Sequence, residues 1–362
     1  MPLYMDYHQF PSITIEEVKQ AHMADKKTQD KYGVIYHQFW VNEKEGTIFC
    51  LIEGPNPEAC VQVHREAHGD VACNIIEVEP GILDLILGNS NNINHGLVYQ
   101  NSGEVDTGFR YIMIVDAVVK TNQKHIQDIS LFEFTNFPKR KALSIVENFG
   151  GREIKNDFDD VLIFVFSDDL MALHCAINIQ NTICNQEQDY SDFEVRIGIN
   201  EGQPVTHKEG FFEEAIDYAK HLSLLAGPNG IVLSKSFQKL INGNSEFKEN
   251  SNVKVINQRQ ELFVQQFLKY AEENIAKQDL NIQNISQTIG VSKPQLYRKI
   301  TGLTGRSPNT FIRDIKMKKA MGLLKNNDLN VSQVALEVGY SNPSYFTKCF
   351  QEKYGISPSK VI

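Results

Sequence analysis

The feature that most restricts this chain's fold is a pattern that occurs twice near its C-terminus. In "LNIQNISQTIGVSKPQLYRKITGLTG", residues 280–305, Ile285 and Ile289 lie four apart and share one helical face. Gly290 stops that helix, because glycine enters the left-handed conformation at little cost. Ser292 then caps a second helix, and Pro294 suits its first turn. Leu296 and Ile300 fall inward on it, while Lys293, Gln295, Arg298 and Lys299 fall outward. The stretch "LNVSQVALEVGYSNPSYFTKCFQEKYGISP", residues 329–358, repeats the arrangement. Val334 and Val338 share a face, Gly339 stops the helix, and Asn342-Pro343 opens the next. Phe346 and Phe350 point inward, leaving Ser341, Asn342, Ser344, Tyr345 and Lys348 outside. Between the halves, "TFIRDIKMKKAMGLLKN" reads as an amphipathic helix with Phe311, Ile315 and Leu323 or Leu324 on its apolar side. The expectation for residues 258–362 is an all-α double helix-turn-helix domain.

Charge separates this end from the rest. The net charge is -9 over 362 residues. From Glu261 onward, however, 14 Lys and Arg face 8 Asp and Glu. An acidic body with a basic tail suits a module that binds a polyanion. No run of about 18 apolar residues occurs, so no membrane span is expected. "MPLYMDYHQF" lacks a basic region followed by an apolar core, which argues against a secretory signal. Six scattered cysteines do not form a disulfide framework. These features together predict a cytoplasmic protein.

The two helical pairs joined by one helix resemble the DNA-binding domain of AraC/XylS-family transcriptional regulators, most specifically in "VGYSNPSYFTKCFQEKYGISPS". The resemblance implies that each second helix enters a major groove of double-stranded DNA. The reading helices would be about 293–301 and 342–352. Arg298 and Lys299 would meet guanine edges or phosphates, and Ser344, Tyr345 and Lys348 bases or backbone.

Residues 88–108 and 242–257, rich in Asn, Gly and Ser, read as linkers. Between them, strand-like runs such as "FRYIMIVDAVV" and "FEVRIGIN" alternate with helical ones, so 109–241 is expected to be α/β. "GGREIKNDFDDVLIFVF", "VRIGINEGQPV" and "EAIDYAKHLSLLAGPNGIVLS" resemble class III nucleotidyl cyclase domains. By that resemblance Asp116 and Asp159 match the two metal-binding aspartates. Asp217 and His221 stand where active cyclases carry an Asn and a phosphate-binding Arg. An acid in place of the amide, and no arginine, work against holding a triphosphate. Phe158 and Asp160 replace glycines beside the second aspartate. The expectation is a cyclase-like domain without catalysis, kept for dimerisation; an altered but active cyclase is the alternative.

Residues 1–87 read as strand 2–8, helix 14–31, strands 33–41 and 47–53, helix 56–68 and strand 71–78. The order βαββαβ is ferredoxin-like. Five of the ten histidines fall here: His8, His22, His37, His64 and His68. "CVQVHREAHG" places His64 and His68 four apart, and imidazole suits nickel, copper and zinc. A helical pair supplies two ligands, so a third must come from elsewhere, with His22 on the other helix favoured over His37 on a strand. Met5, Cys50 and Cys60 are further soft donors. "MPLYMDYHQFP", "AHMADKKTQDKYGV", "GTIFCLIEGPNPEA" and "VHREAHG" resemble a family of small ferredoxin-like proteins, one branch of which binds nickel. The whole chain is thus expected to be an α+β multidomain, non-enzymatic DNA-binding regulator. It would act as a homodimer, switched by nickel, another divalent transition metal or a small-molecule effector. A redox-responsive regulator using Cys50, Cys60 or Cys73 is a further alternative.

Overall fold

The computed structural model describes all residues except 89–91, 120–130, 156–160, 186–192, 208–209, 245–246, 248–249, 278–279, 327 and 362. The chain divides into two compact units. One holds Met1–Ile112 with Glu201–Asp217, the other Met113–Asn200 with Tyr218–Ile362. Among the described residues, no helix is long and apolar enough to cross a membrane.

The first unit runs β1 (Leu3–Gln9), α1 (Ile15–Thr28), β2 (Ile35–Asn42), β3 (Thr47–Glu53), α2 (Pro57–Ala67) and β4 (Asn74–Val78). These strands lie in the order β4-β1-β3-β2, and β1 is antiparallel to both neighbours. Each helix begins where the sequence supplies a cap. Thr14 and Glu17 form a reciprocal capping box on α1, and the Asn56 side chain accepts from the Ala59 amide, with Pro57 in the first turn of α2. Side chains alternate along β1. Tyr4, Asp6 and His8 therefore share the face that carries Cys50 and Ile52 of β3, while Met5 and Tyr7 take the opposite face.

A short helix, α3 (Pro80–Leu87), follows. Residues 88–108 are not the plain linker their composition suggests. Within them β5 (Ile93–Asn94) and β6 (Leu97–Val98) extend the sheet, with Leu97 parallel to Phe39 of β2. Leu97 and Val98 are buried. Gly96, at φ +86°, makes the turn between the two strands against the His22 and Phe39 rings, where a side chain would collide. Leu97 belongs to the core cluster of this unit, with Tyr99 and Val105 packed against it, so a few apolar residues among many polar ones bring this segment into the sheet.

The second unit contains β7 (Arg110–Val119), α4 (Leu131–Asn148), β8 (Arg152–Ile154), β9 (Leu162–Phe166), α5 (Asp169–Asn185), β10 (Phe193–Gly202), α6 (Glu213–Leu225), β11 (Gly230–Leu233), α7 (Gln238–Gly243) and β12 (Val253–Val255), with β7, β10 and α6 crossing its boundary. The sheet order is β12-β11-β10-β7-β9-β8. Gly198 on β10 lets α6 lie directly on the sheet, since a Cβ there would strike the Ala219 and Ser223 backbone. The second expected linker is likewise used: β12 pairs parallel to β11, and Phe247 and Ile256 are buried.

The C-terminal part is all-helical: α8 (Gln258–Glu273), α9 (Ile282–Ile289), α10 (Lys293–Thr304), α11 (Pro308–Lys325), α12 (Val331–Glu337) and α13 (Pro343–Tyr354). Gly290 and Gly339 both sit at φ +73° after the first helix of each pair. Ser292 and Asn342 cap α10 and α13. Leu296, Ile300, Phe311, Leu324, Phe346 and Phe350 are fully buried, as their spacing predicts. The first pair packs in one apolar cluster with Leu222, Leu224, Leu225 and Val232 of the sheet body. The second pair has a cluster of its own around Met317, Leu324, Phe346 and Phe350.

Candidate DNA-reading and metal sites

The outward residues of α10 and α13 are where the sequence places them. Lys293, Gln295, Arg298, Lys299, Ser341, Asn342, Ser344, Tyr345 and Lys348 are all exposed. Their roles differ, however. Gln295 accepts from the Ser292 amide at 3.0 Å, closing a capping box. Asn342 Oδ1 accepts from the Ser344 and Tyr345 amides at 2.9 and 3.1 Å. Both side chains are thereby committed to holding a helix N-terminus. Lys293 donates to Gln283 at 3.0 Å, and Lys299 lies over the Phe263 ring at 4.5 Å. Arg298, Ser344, Tyr345 and Lys348 remain as the outward groups best placed to contact another molecule. A cleft of about 440 Å³ beside α13 is lined by Asn309, Thr310, Arg313, Lys316, Tyr340 and Tyr345, among others.

In the first unit, buried acids and histidines meet beneath α1 and α2. Asp6 is fully buried, and its Oδ1 accepts from the Cys50 amide at 2.8 Å. Its Oδ2 lies 2.6 Å from His64 Nε2 and 3.2 Å from His8 Nε2. On the other side of the His64 ring, Nδ1 is 3.1 Å from His68 Nε2 and 3.2 Å from Asp25 Oδ1. His68 Nε2 is also 3.2 Å from Asp25 Oδ1. Three donor atoms from three residues therefore converge. The Asp25 oxygen is buried yet receives no well-directed hydrogen bond.

This donor set fits a transition metal. Imidazole and carboxylate ligands bind such ions at about 2.0–2.2 Å, which puts ligand atoms around one ion roughly 2.8–3.6 Å apart. The three observed separations fall within that range. Asp6 completes the arrangement: by accepting from His64 Nε2 it leaves Nδ1 to face the other two donors, the usual carboxylate–histidine support of a ligand.

The electrostatics follow from burial and proximity. Burial alone would raise the Asp6 carboxyl, but the His8 and His64 charges and hydrogen bonds hold it far below the usual carboxylate range. Burial alone would lower His64, but the facing Asp25 and Asp6 carboxylates push it up to about 10.

Of the four histidines expected as ligands, the structure brings together only His64 and His68. His22 is buried outside the group; both its ring nitrogens are without hydrogen-bond partners, and burial pushes it down to about 4. His37 is on β2 in a separate cleft, 3.2 Å from Glu53, so it is not the third ligand. Met5 is ruled out by alternation, because it faces away from Asp6 and His8. Cys50 and Cys60 are buried, and burial pushes the Cys60 thiol up to about 12 and Cys50 well above its ordinary value. Neither suits a thiolate ligand or a redox sensor. Asp25 and Asp6 escaped the sequence reading. Asp25 comes three residues after His22 on α1, and Asp6 stands two residues from His8 in an otherwise apolar strand. A lone acid inside a doubly buried strand was the available signal.

The described cyclase-matching positions have individual surroundings. Asp116 is buried and paired with Lys318 at 2.7 Å. His221 pairs with Glu272 at 3.1 Å. Asp217 is exposed. Asp159, Phe158 and Asp160 lie outside the described residues.

With these sites in view, comparison with known proteins assigns both ends of the chain. Residues 285–362 match the helix-turn-helix domain family. Residues 4–78 match the family described as nickel responsive protein SCO4226-like. Among curated relatives, histidine kinase P4 of Formosa agariphila is 39% identical over 28% of this chain and 7% of its own length. The HTH-type transcriptional regulator MtrA of Neisseria gonorrhoeae is 34% identical over 22% of this chain and 27% of its own. The crystal structure of SCO4226 from Streptomyces coelicolor A3(2) is 40% identical, with a TM-score of 0.20, and covers 21% of this chain and 94% of that one. The chain spans less than half the length of the first curated relatives it matches.

Proposed function

We propose that this protein is a sequence-specific DNA-binding transcriptional regulator of AraC type. Its ferredoxin-like N-terminal domain would sense a divalent transition metal, nickel first among them. A cyclase-like middle domain without catalysis would link the two and support a homodimer. The observation that carries the DNA reading is the pair of capped helices, α10 and α13. Each is anchored by fully buried side chains and exposes Arg298 or Lys348. The helix-turn-helix family match over the same residues supports it.

In vitro selection from a random duplex pool tests this reading. The full chain is expected to enrich a defined sequence, and enrichment of none would reject the proposal. Arg298→Ala should lower affinity for the selected duplex by about 1–3 kcal/mol at fixed salt. The comparison is a binding isotherm against the unmodified protein, and an unchanged curve would remove Arg298 from the reading surface.

The sensing reading rests on Asp25, His64 and His68. An ion held by them would tie α1, which carries Asp25, to the C-terminal end of α2, which carries His64 and is capped by His68. Such a tie gives the metal a preferred conformation to stabilise, the requirement for any allosteric signal. Because His64 must surrender a proton before Nδ1 can ligate, nickel affinity should rise with pH. Below about pH 10, where His64 is protonated, each pH unit should strengthen binding by about tenfold per proton released. Calorimetric titration with nickel between pH 6.5 and 8.5 measures the slope. A flat profile would show that His64 is not a ligand.

A further inference from the structure

The second unit contains a buried charge cluster that neither DNA reading nor metal sensing uses. Asp116, on β7 among Ile114 and Val115, is 4% exposed. Lys318 Nζ reaches its Oδ2 at 2.7 Å from α11, the helix that joins the two halves of the reader. About one turn earlier on α11, Asp314 meets Arg306 at 2.6 Å and Lys353 at 2.9 Å. Arg306 also donates to the Leu224 carbonyl on α6. Also on α6, His221 meets Glu272 of α8 at 3.1 Å. The Asp116–Lys318 and His221–Glu272 pairs and the Arg306–Leu224 hydrogen bond cross between the sheet body and the reader, beside an apolar cluster to which both contribute, while Asp314 ties Arg306 and Lys353 together within the reader.

Taking a carboxylate out of water costs several kcal/mol unless a partner of opposite charge compensates it. If the reader left, Asp116 would lose Lys318, its direct partner on α11, and the nearby Lys353 charge, keeping only the more distant Arg196 of β10. Hydrophobic packing alone tolerates small slips of one surface over another, whereas an ion pair at 2.7 Å fixes one position. The pair is therefore suited to setting orientation more than to adding net stability.

We infer that Asp116 is a positioning residue that mounts the DNA reader on the sheet body through its ion pair with Lys318. The consequence for DNA binding rests on the function proposed above; the mount itself does not. Lys318 is 21% exposed in its side chain, so it arrives at Asp116 from the rim of the contact and can be altered without opening the core.

Hydrogen–deuterium exchange on the full chain tests the mount. Lys318→Met keeps the aliphatic stem and removes the charge. It should speed exchange by about tenfold or more in both β7 and α11, one on each side of the contact. Lys318→Arg should restore most of the protection. Should Lys318→Met fold poorly, Asp116→Asn preserves shape and should produce the same two-sided loss. Faster exchange in α11 alone, no change on either side, or an arginine no better than methionine would each overturn the mount. In parallel, Asp116→Asn is assayed on a duplex selected by the unmodified protein, where affinity should fall about fivefold or more. Unchanged affinity with two-sided exchange would overturn the functional consequence. If the unmodified protein selects no duplex while the variants lose protection on both sides, the DNA-reading proposal fails and the mount stands.

Discussion

His64→Ala is expected to be the most damaging single substitution in the first unit. The imidazole lies between two buried carboxylates, 2.6 Å from Asp6 and 3.2 Å from Asp25. Its removal leaves both acids facing each other across a cavity. Breaking a buried pair by deleting one partner costs about 3–5 kcal/mol, and here two pairs share that partner. The transition that reports this unit in differential scanning calorimetry should move down by about ten degrees or more. Nickel binding should disappear in the same variant. A variant that melts normally and still binds nickel would refute both the relay and the site.

The pH dependence of the same cluster follows with its sign. His64 is raised in the folded state to about 10, so its contribution is complete below its unfolded value of about 6.5 and is lost as pH rises toward 10. Asp6 is lowered, so its contribution is complete above its unfolded value of about 3.9 and is lost as pH falls below that. Without metal the contribution of the Asp6–His64 pair should therefore be largest between about pH 4 and 6.5, while His22, held down to about 4 by burial, costs stability as pH falls through that window. Asp6→Asn should remove the acid-side loss.

The second large effect is expected at Asp314. Burial alone would raise its carboxyl, yet Lys353 and Arg306 hold it down to about 2. One carboxylate thus serves two largely buried cations, with side chains 11% and 12% exposed. Asp314→Ala leaves both unpaired, at a cost of about 3–5 kcal/mol. Lys353 is on α13, so the damage should extend to the second reading helix. Denaturant unfolding followed by near-ultraviolet circular dichroism measures the loss. Asp314→Asn, which keeps the shape and a weaker acceptor, should cost less than the alanine. Equal stability of all three proteins would show that the cluster is not held by charge.

Local chemistry made much of this structure readable in advance. Gly290, Gly339, Ser292 and Asn342 announced where helices stop and start, because caps and left-handed turns are decided within a few residues. Leu296, Ile300, Phe346 and Phe350 followed from helical periodicity alone. The β-strands of the first unit came within a few residues of their observed ends for the same reason. Partners distant in the chain were not readable. Nothing local in "HMAD" says that Asp25 will meet His68 forty-three residues later, or that His37 will turn to another cleft. Residues 88–108 misled because average composition hides two buried residues, Leu97 and Val98. Asp116 stood out only as a match to a metal-binding aspartate, and Lys318 not at all; only the fold joins this strand residue to a helix residue some two hundred positions on.

The apolar cluster shared by α6, β11 and the first helical pair also limits how this reader could be transplanted. Phe263, Phe267 and Leu268 on α8 cluster with Leu222, Leu224 and Val232 of the sheet body. A helix-turn-helix module grafted from a relative would have to bring a matching apolar face, together with a cation at position 318. A module lacking them would leave greasy surface and an orphan acid at the seam. Chains exchanging parts at this junction would inherit both faces together, so compatibility here is decided by the contact beneath the helical module, whatever that module binds.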